Sequence, residues 1–402
     1  WPPIKLFVPR YETRRYALDD DQFPPILLHK LDAYLTSLSG TDPFNMHVKA
    51  FRPRSIKAIE GHFRRYISAL HYQGIDLSGI TSLEEIVTKE MFQLAMRWFW
   101  DRNGGKTSKH TGEIGWSIRC YATKHLTADE ETIAFYASAM KRLRISQEGL
   151  SDKNQRAMAQ FDEPKTIEAL VGLPMKLWAK AERSHKTAST KRRSKELQLC
   201  VQTAVAIEVL IFAPVRISNL QNLRIDQHIS WQDKHAVIHV PRAQVKNNVD
   251  LVFKLPITLS QRIKAYIRDW RALYTEGANP YLFPGRKMNP KDGSRLRRQI
   301  SNMLWDETGI KLTPHQFRHL AAKILLDAKP GHYEVVRKIL GHKNLTTTYS
   351  HYAGAETQAA LDLYDEVILQ HRKGTSFGST QRSRKFQEPP FMDPLQIYGG
   401  KK

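Results

Sequence analysis

Residues 312–354 read LTPHQFRHLAAKILLDAKPGHYEVVRKILGHKNLTTTYSHYAG. His315 and Arg318 fall three apart, His342 follows a glycine that closes an apolar helical pattern, and Tyr349 and Tyr352 come next. Upstream, Arg216 in PVRISNL ends a long apolar stretch, and Lys246 sits beside the polar turn KNN. Thr313 is an N-cap candidate and Pro314 suits a first helical position, so His315 and Arg318 share a face near a helix N-terminus. An anion is favoured there. An imidazole can take or give a proton, and a phenol becomes a nucleophile once its proton is removed. H-x-x-R alone is common; the set gains meaning from its members together.

The elements that must hold these residues come from periodicity and turn residues. Residues 1–24, rich in Pro, Arg and Tyr, read as an irregular N-terminal arm. Residues 25–145 read as a small helical domain with basic faces. In it Ile56, Ile59, Phe63, Ile67 and Leu70 form one helical stripe, and Arg64 and Arg65 lie outside it as candidate DNA contacts. Trp98, Phe99 and Trp100 could stack on bases, although aromatics at helical spacing are more often core. Residues 146–164 are polar with little apolar periodicity and read as a linker. A second domain, 165–372, is mostly helical. Within it, HAVIHVPRAQVKNNVDLVFKLP gives two β-rich runs around Asn247-Asn248, a hairpin. Residues 373–402 are a Gly-, Ser-, Pro- and base-rich tail, expected to be flexible. The fold class is thus mainly α with a small antiparallel sheet.

The 402 residues carry a formal charge of +22, with a pI near 9.8. That excess points to a polyanionic partner, because Lys and Arg release counterions from phosphates. Lys191, Arg192 and Arg193 in TKRRSKE are candidates to touch such a backbone. Cys120 and Cys200 are the only cysteines, which excludes a disulfide scaffold and a four-cysteine zinc site. No run approaches the ~20 apolar residues of a membrane span and no signal peptide is evident. The chain is expected to be cytoplasmic and associated with the nucleoid.

The ordered set Arg216, Lys246, His315-x-x-Arg318, His342 and a following tyrosine resembles the tyrosine recombinase (phage integrase) family, over residues 165 to about 371. The helical domain before it suits that family's core-binding domain, so the resemblance implies a two-domain DNA clamp. It implies site-specific cutting and rejoining of duplex DNA through a 3′-phosphotyrosyl intermediate, in the integration or excision of a mobile element. It implies self-association, with four protomers in the synaptic complex, and accessory DNA-bending or directionality proteins.

The chemistry is consistent with these residue types. Arg216 and Arg318 would clamp the non-bridging oxygens with forked hydrogen bonds. His342 would add a donor, and His315 is the nearest candidate base. Lys246, on its hairpin, would protonate the departing 5′ oxygen; Arg242 and Lys254 compete for that role. Cofactors and metals are not called for, since the arginines do the charge work of Mg²⁺.

Two features depart from the family. Its Arg-x-x-Glu-Leu motif reads RISNL here, with Asn219 in place of the acid and able to accept from Arg216. The family's tyrosine usually follows the Gly-His histidine by about nine residues. That position is His351, with Tyr352 one later and Tyr349 two earlier. Tyr352 is favoured, because one extra residue is more easily absorbed than two lost, and Tyr349 is the alternative. The two share a helix face if both are helical. His319, His332 and His351 are expected to be packing or solvated. Rival readings are a type IB topoisomerase, which would relax plasmid without a paired site, and a DNA-binding protein with a decayed site.

Overall fold

The computed structural model describes residues 16–40, 50–143, 145, 149–185, 191–271, 279–352, 361 and 364–370. It divides into two compact units, 1–147 and 148–402.

The first unit is helical: α1 Pro25–Ser37, α2 Pro53–Tyr72, α3 Lys89–Arg102, α4 Lys109–Cys120 and α5 Glu130–Leu143. Proline stands in the first turn of α1 and of α2, where its missing N–H costs nothing. The stripe Ile59, Phe63, Ile67 and Leu70 is buried, and Ile56 packs at its edge. Each such side chain withdrawn from water contributes about 1.5–3 kcal/mol. Phe99 is buried, while Trp98 is layered on Tyr72 at 5.5 Å and Trp100 remains exposed. Part of the expected arm belongs to this unit: Leu18 and Phe23 are buried in its core, and Leu18 N–H donates to Ser68 Oγ. Residues 1–15 lie outside the described residues.

The second unit begins inside the expected linker. Residues 146–164 contain α6, Asp152–Ala159, and Met158 and Phe161 are buried in the core. Met158 on that helix and Phe161 just beyond it are too few to register as periodicity. The chain continues through α7 Pro164–His185, α8 Lys191–Phe212, α9 Ile217–Gln221 and α10 Ile225–His228. A meander follows, β1 Ile229–Gln232, β2 His235–Val240 and β3 Leu251–Lys254, with every neighbour antiparallel. The expected hairpin is β2–β3, with Val240 opposite Leu251; β1 adds a third strand. Helices α11 Ile257–Ala265, α12 Gly293–Thr308, α13 Gln316–Ala328, α14 Tyr333–Leu340 and α15 Leu345–Tyr352 complete it. Helix α8 is the hub: Val201, Ala204, Val205, Ile207, Val209 and Leu210 are all buried. Residues 364–370 are helical, and the tail from 371 lies outside the described residues. Among the described residues, no helix is long and apolar enough to cross a membrane.

Candidate active site

Arg216 stands at the N-cap of α9, just past the Ala213-Pro214-Val215 bend that ends α8. Its Nη1 is buried and has no hydrogen-bond partner. Orphaned buried donors are rare, and a cationic one more so. Asn219 does not orient it as expected. The Asn219 amide faces the other way and donates to the Gln244 carbonyl at 3.3 Å.

Arg318 lies on the first turn of α13, 3% exposed, and donates to the Pro214 carbonyl at 2.8 Å and the Leu340 carbonyl at 2.6 Å. It thereby ties the bend before Arg216 to the end of α14. Burial, then the neighbouring Arg216 charge, lowers its pKa to about 10. Burial also lowers that of Arg216. Among the described ion pairs, neither guanidinium has a carboxylate partner.

Helix α14 ends at Gly341, whose left-handed φ of 58° turns the chain so that His342 enters the same pocket. His342 is buried and bonded through Nδ1 to Thr348 Oγ1 at 2.9 Å, and Arg337 holds its carbonyl at 3.0 Å. Burial, then Arg318 and Arg216, lowers its pKa to about 4, so the ring is neutral near pH 7. The loop carrying Lys246 is fastened to this turn, because Asn247 Nδ2 donates to the Gly341 carbonyl at 2.9 Å. Lys246 is exposed and close enough for its charge to depress His315. Helix α13 starts two residues later than the Thr313 cap implied, with His315 at its N-cap. Thr313 donates to Gln316 Oε1 rather than accepting. His315 is exposed in residue terms. The protein crowding its ring, followed by Arg318, Arg216, His351 and Lys246, still holds its pKa below the usual imidazole value.

The two tyrosines of α15 part company. Tyr352 is 2% exposed, and its hydroxyl is 2.9 Å from His319 Nδ1. Burial raises its pKa, against a lowering pull from Arg318. Tyr349 is 44% exposed and rests on Tyr333 with ring centroids 4.2 Å apart. It does not line the cationic pocket with Tyr352 as a shared face would have it.

His319, expected to be a packing residue, therefore contacts the favoured nucleophile. Its tautomer follows from the bonds behind it. The Thr313 backbone N–H can only donate, and it meets Gln316 Oε1 at 2.9 Å. Gln316 Nε2 then donates to Asn154 Oδ1 at 3.2 Å. Asn154 Nδ2 faces His319 Nε2 at 3.3 Å, which must accept. The proton is thus on Nδ1, and His319 donates to the Tyr352 oxygen. Burial, then the cationic potential of His315 and its neighbours, lowers the His319 pKa to about 4. Asn154 belongs to α6, inside the segment read as a linker. Gly149 N–H from the same segment donates to the Ser350 carbonyl of α15 at 2.8 Å. Only the Ser151-Asp152 start hints at that helix in the sequence.

The candidate DNA contacts are less free than expected. Arg64 pairs with Asp20 at 2.5 Å and Glu60 at 3.0 Å, and Arg65 donates to the Gly61 carbonyl at 2.8 Å. Lys191, Arg192 and Arg193 open α8, and their side chains lie outside the described ones.

Residues 186–359 match the phage integrase family. The chain is 27% identical over 142 residues to tyrosine recombinase XerA of Pyrococcus horikoshii, covering 35% of this chain and 46% of that protein. It is 31% identical over 167 residues to a tyrosine recombinase of Pseudothermotoga lettingae, covering 40% and 52%. The matches thus span about half the length of these curated relatives. Among solved structures, XerH site-specific recombinase bound to palindromic difH superposes with a TM-score of 0.46 at 15% identity, over 89% of this chain and 99% of that one.

Proposed function

We propose that the chain, whose residues 186–359 match the phage integrase family, is a tyrosine recombinase that cuts and rejoins duplex DNA at specific sites. Its biological setting would be integration or excision of a mobile element, with four protomers joining two sites. The observation that carries the reading is the guanidinium pair with the orphaned Arg216 Nη1 and, among the described residues, no carboxylate partner. Such a pair is stabilised by an anion, and a phosphodiester supplies the oxygens.

In the proposed step, Arg216, Arg318 and His342 hold the non-bridging oxygens as charge builds on them. The Tyr352 oxygen bonds to phosphorus and the 5′ oxygen leaves. His319 steadies the phenolate through Nδ1–H, and the phenolic proton passes to His315, which is neutral. Lys246 gives its proton to the 5′ oxygen. The phosphotyrosyl ester conserves the bond for attack by another strand's 5′-hydroxyl, so no nucleotide cofactor enters. Tyr352 is buried before DNA engages, so α15 has to shift for the phosphorus to reach its hydroxyl.

The test is a covalent trap. The protein is incubated with DNA from its own genomic neighbourhood, quenched with detergent, digested, and the phosphotyrosyl peptide mapped by mass spectrometry. An adduct on Tyr352, absent in Tyr352→Phe and kept in Tyr349→Phe, is expected. An adduct on Tyr349 would retain the enzyme class and reverse the choice of nucleophile. Binding without any adduct would favour a DNA-binding protein with a decayed site.

A further inference from the structure

Away from the cationic pocket, the first unit brings His62 of α2 together with His110 and Glu113 of α4. One ligand atom from each lies within 4.8 Å of the others. We propose that these three side chains bind a divalent cation of the zinc class and fasten α2 to α4.

The donor set suits such an ion. Two imidazoles and one carboxylate match zinc, cobalt or nickel, and three protein ligands leave a position for water. The spacing within each helix is right as well. His110 and Glu113 are three apart, on one face near the α4 N-terminus, where Ser108 caps the helix by accepting from Thr111 N–H. The imidazole rings of His62 and His110 are 5.8 Å apart, centre to centre, and inclined at 64°. Metal–ligand lengths of about 2.0–2.2 Å require only small side-chain rotations to close that gap.

A second observation prepares His62 for coordination. Ser117 Oγ lies 2.8 Å from His62 Nδ1 and 3.2 Å from the Glu113 carbonyl. When its one proton goes to that carbonyl it accepts from His62 Nδ1–H, and the Nε2 lone pair is left for a metal. A ring nitrogen pinned by a neighbour while the other is bare is the usual support of a ligating histidine. Arg65 is the opposing feature. Its charge acts on both rings, and its guanidinium is anchored at the Gly61 carbonyl. It should weaken binding without blocking it.

The test uses the full chain stripped with a chelator, titrated calorimetrically with zinc chloride, and with cobalt chloride as a spectroscopic probe. His110→Ala and Glu113→Gln alter exposed side chains, and circular dichroism checks their folding. Each is expected to lose one equivalent of zinc or to weaken it by about tenfold or more, since losing even a hydrogen-bond partner of a ligand costs about 10–100-fold. The visible cobalt bands should weaken in parallel, and the melting-temperature rise seen with zinc should shrink. Arg65→Gln is expected to bind more tightly. Histidines of the second unit that take up zinc would add equivalents common to all variants, so the difference isolates this site. An unchanged stoichiometry and affinity in both variants would overturn the proposal. So would a wild-type chain that takes up no zinc by about 1 mM.

Discussion

Replacing His319 tests the proposed mechanism most directly. Its Nδ1–H is 2.9 Å from the Tyr352 oxygen. Before reaction this is a neutral hydrogen bond worth about 1 kcal/mol; to a phenolate it rises to about 1.5–3 kcal/mol. The gain realised only in the transition state is therefore about 0.5–2 kcal/mol, which corresponds to roughly 2–30-fold in rate. His319→Ala should slow cleavage by that factor and leave DNA affinity unchanged. His319→Asn should recover most of the rate, because its amide N–H occupies the place of Nδ1–H; His319→Leu should not. The assay is single-turnover formation of the covalent adduct on a nicked substrate that traps it, with melting temperature as the folding control. A rate within about twofold of wild type would show that the bond is not used. A loss above about a thousandfold would mean that His319 takes the proton itself, and the tautomer deduced from the Thr313–Gln316–Asn154 chain would be wrong.

Lys246→Ala should slow cleavage by about 10²–10³-fold and recover on DNA with sulfur at the bridging 5′ position, since a thiolate leaves without a proton; no recovery would assign the proton to another group. Gly341→Ala places a Cβ 2.4 Å from Leu251 Cδ2 at φ +58°. It should lower stability by about 1–2 kcal/mol for the left-handed backbone alone and loosen the Asn247 anchor, which urea unfolding and adduct rate would read together. An unchanged midpoint would refute the packing argument. His319 and His342 have native pKa values depressed to about 4 from 6.5. The unfolded chain then binds more protons between those values, so stability falls as pH drops from about 6.5 to 4, by at most about 3 kcal/mol per ring. The two rings repel, so the losses do not simply add. Hydrogen exchange of α13 and α15 at pH 7 and 4.5 checks this, and equal protection would refute it.

Much of the second unit was readable because its signals are local. The apolar run of α8, the β2–β3 hairpin and the Gly341 stop each depend on neighbouring residues, and so did the list Arg216, Lys246, His315, Arg318, His342 and Tyr352. Side-chain direction did not follow from that list. Whether Asn219 turns toward Arg216 or toward Gln244 depends on a contact 25 positions away. The tautomer of His319 depends on Asn154, 165 positions distant and carried by a short helix whose buried residue is Met158. Tyr349 and Tyr352 look alike in sequence, and only the packing of α15 sends one outward against Tyr333 and the other inward to His319. The sequence by itself determined which chemical groups are present and which local elements carry them. The tertiary structure decided which are buried, which proton His319 keeps and which phenol meets it, because those depend on burial and on partners distant along the chain.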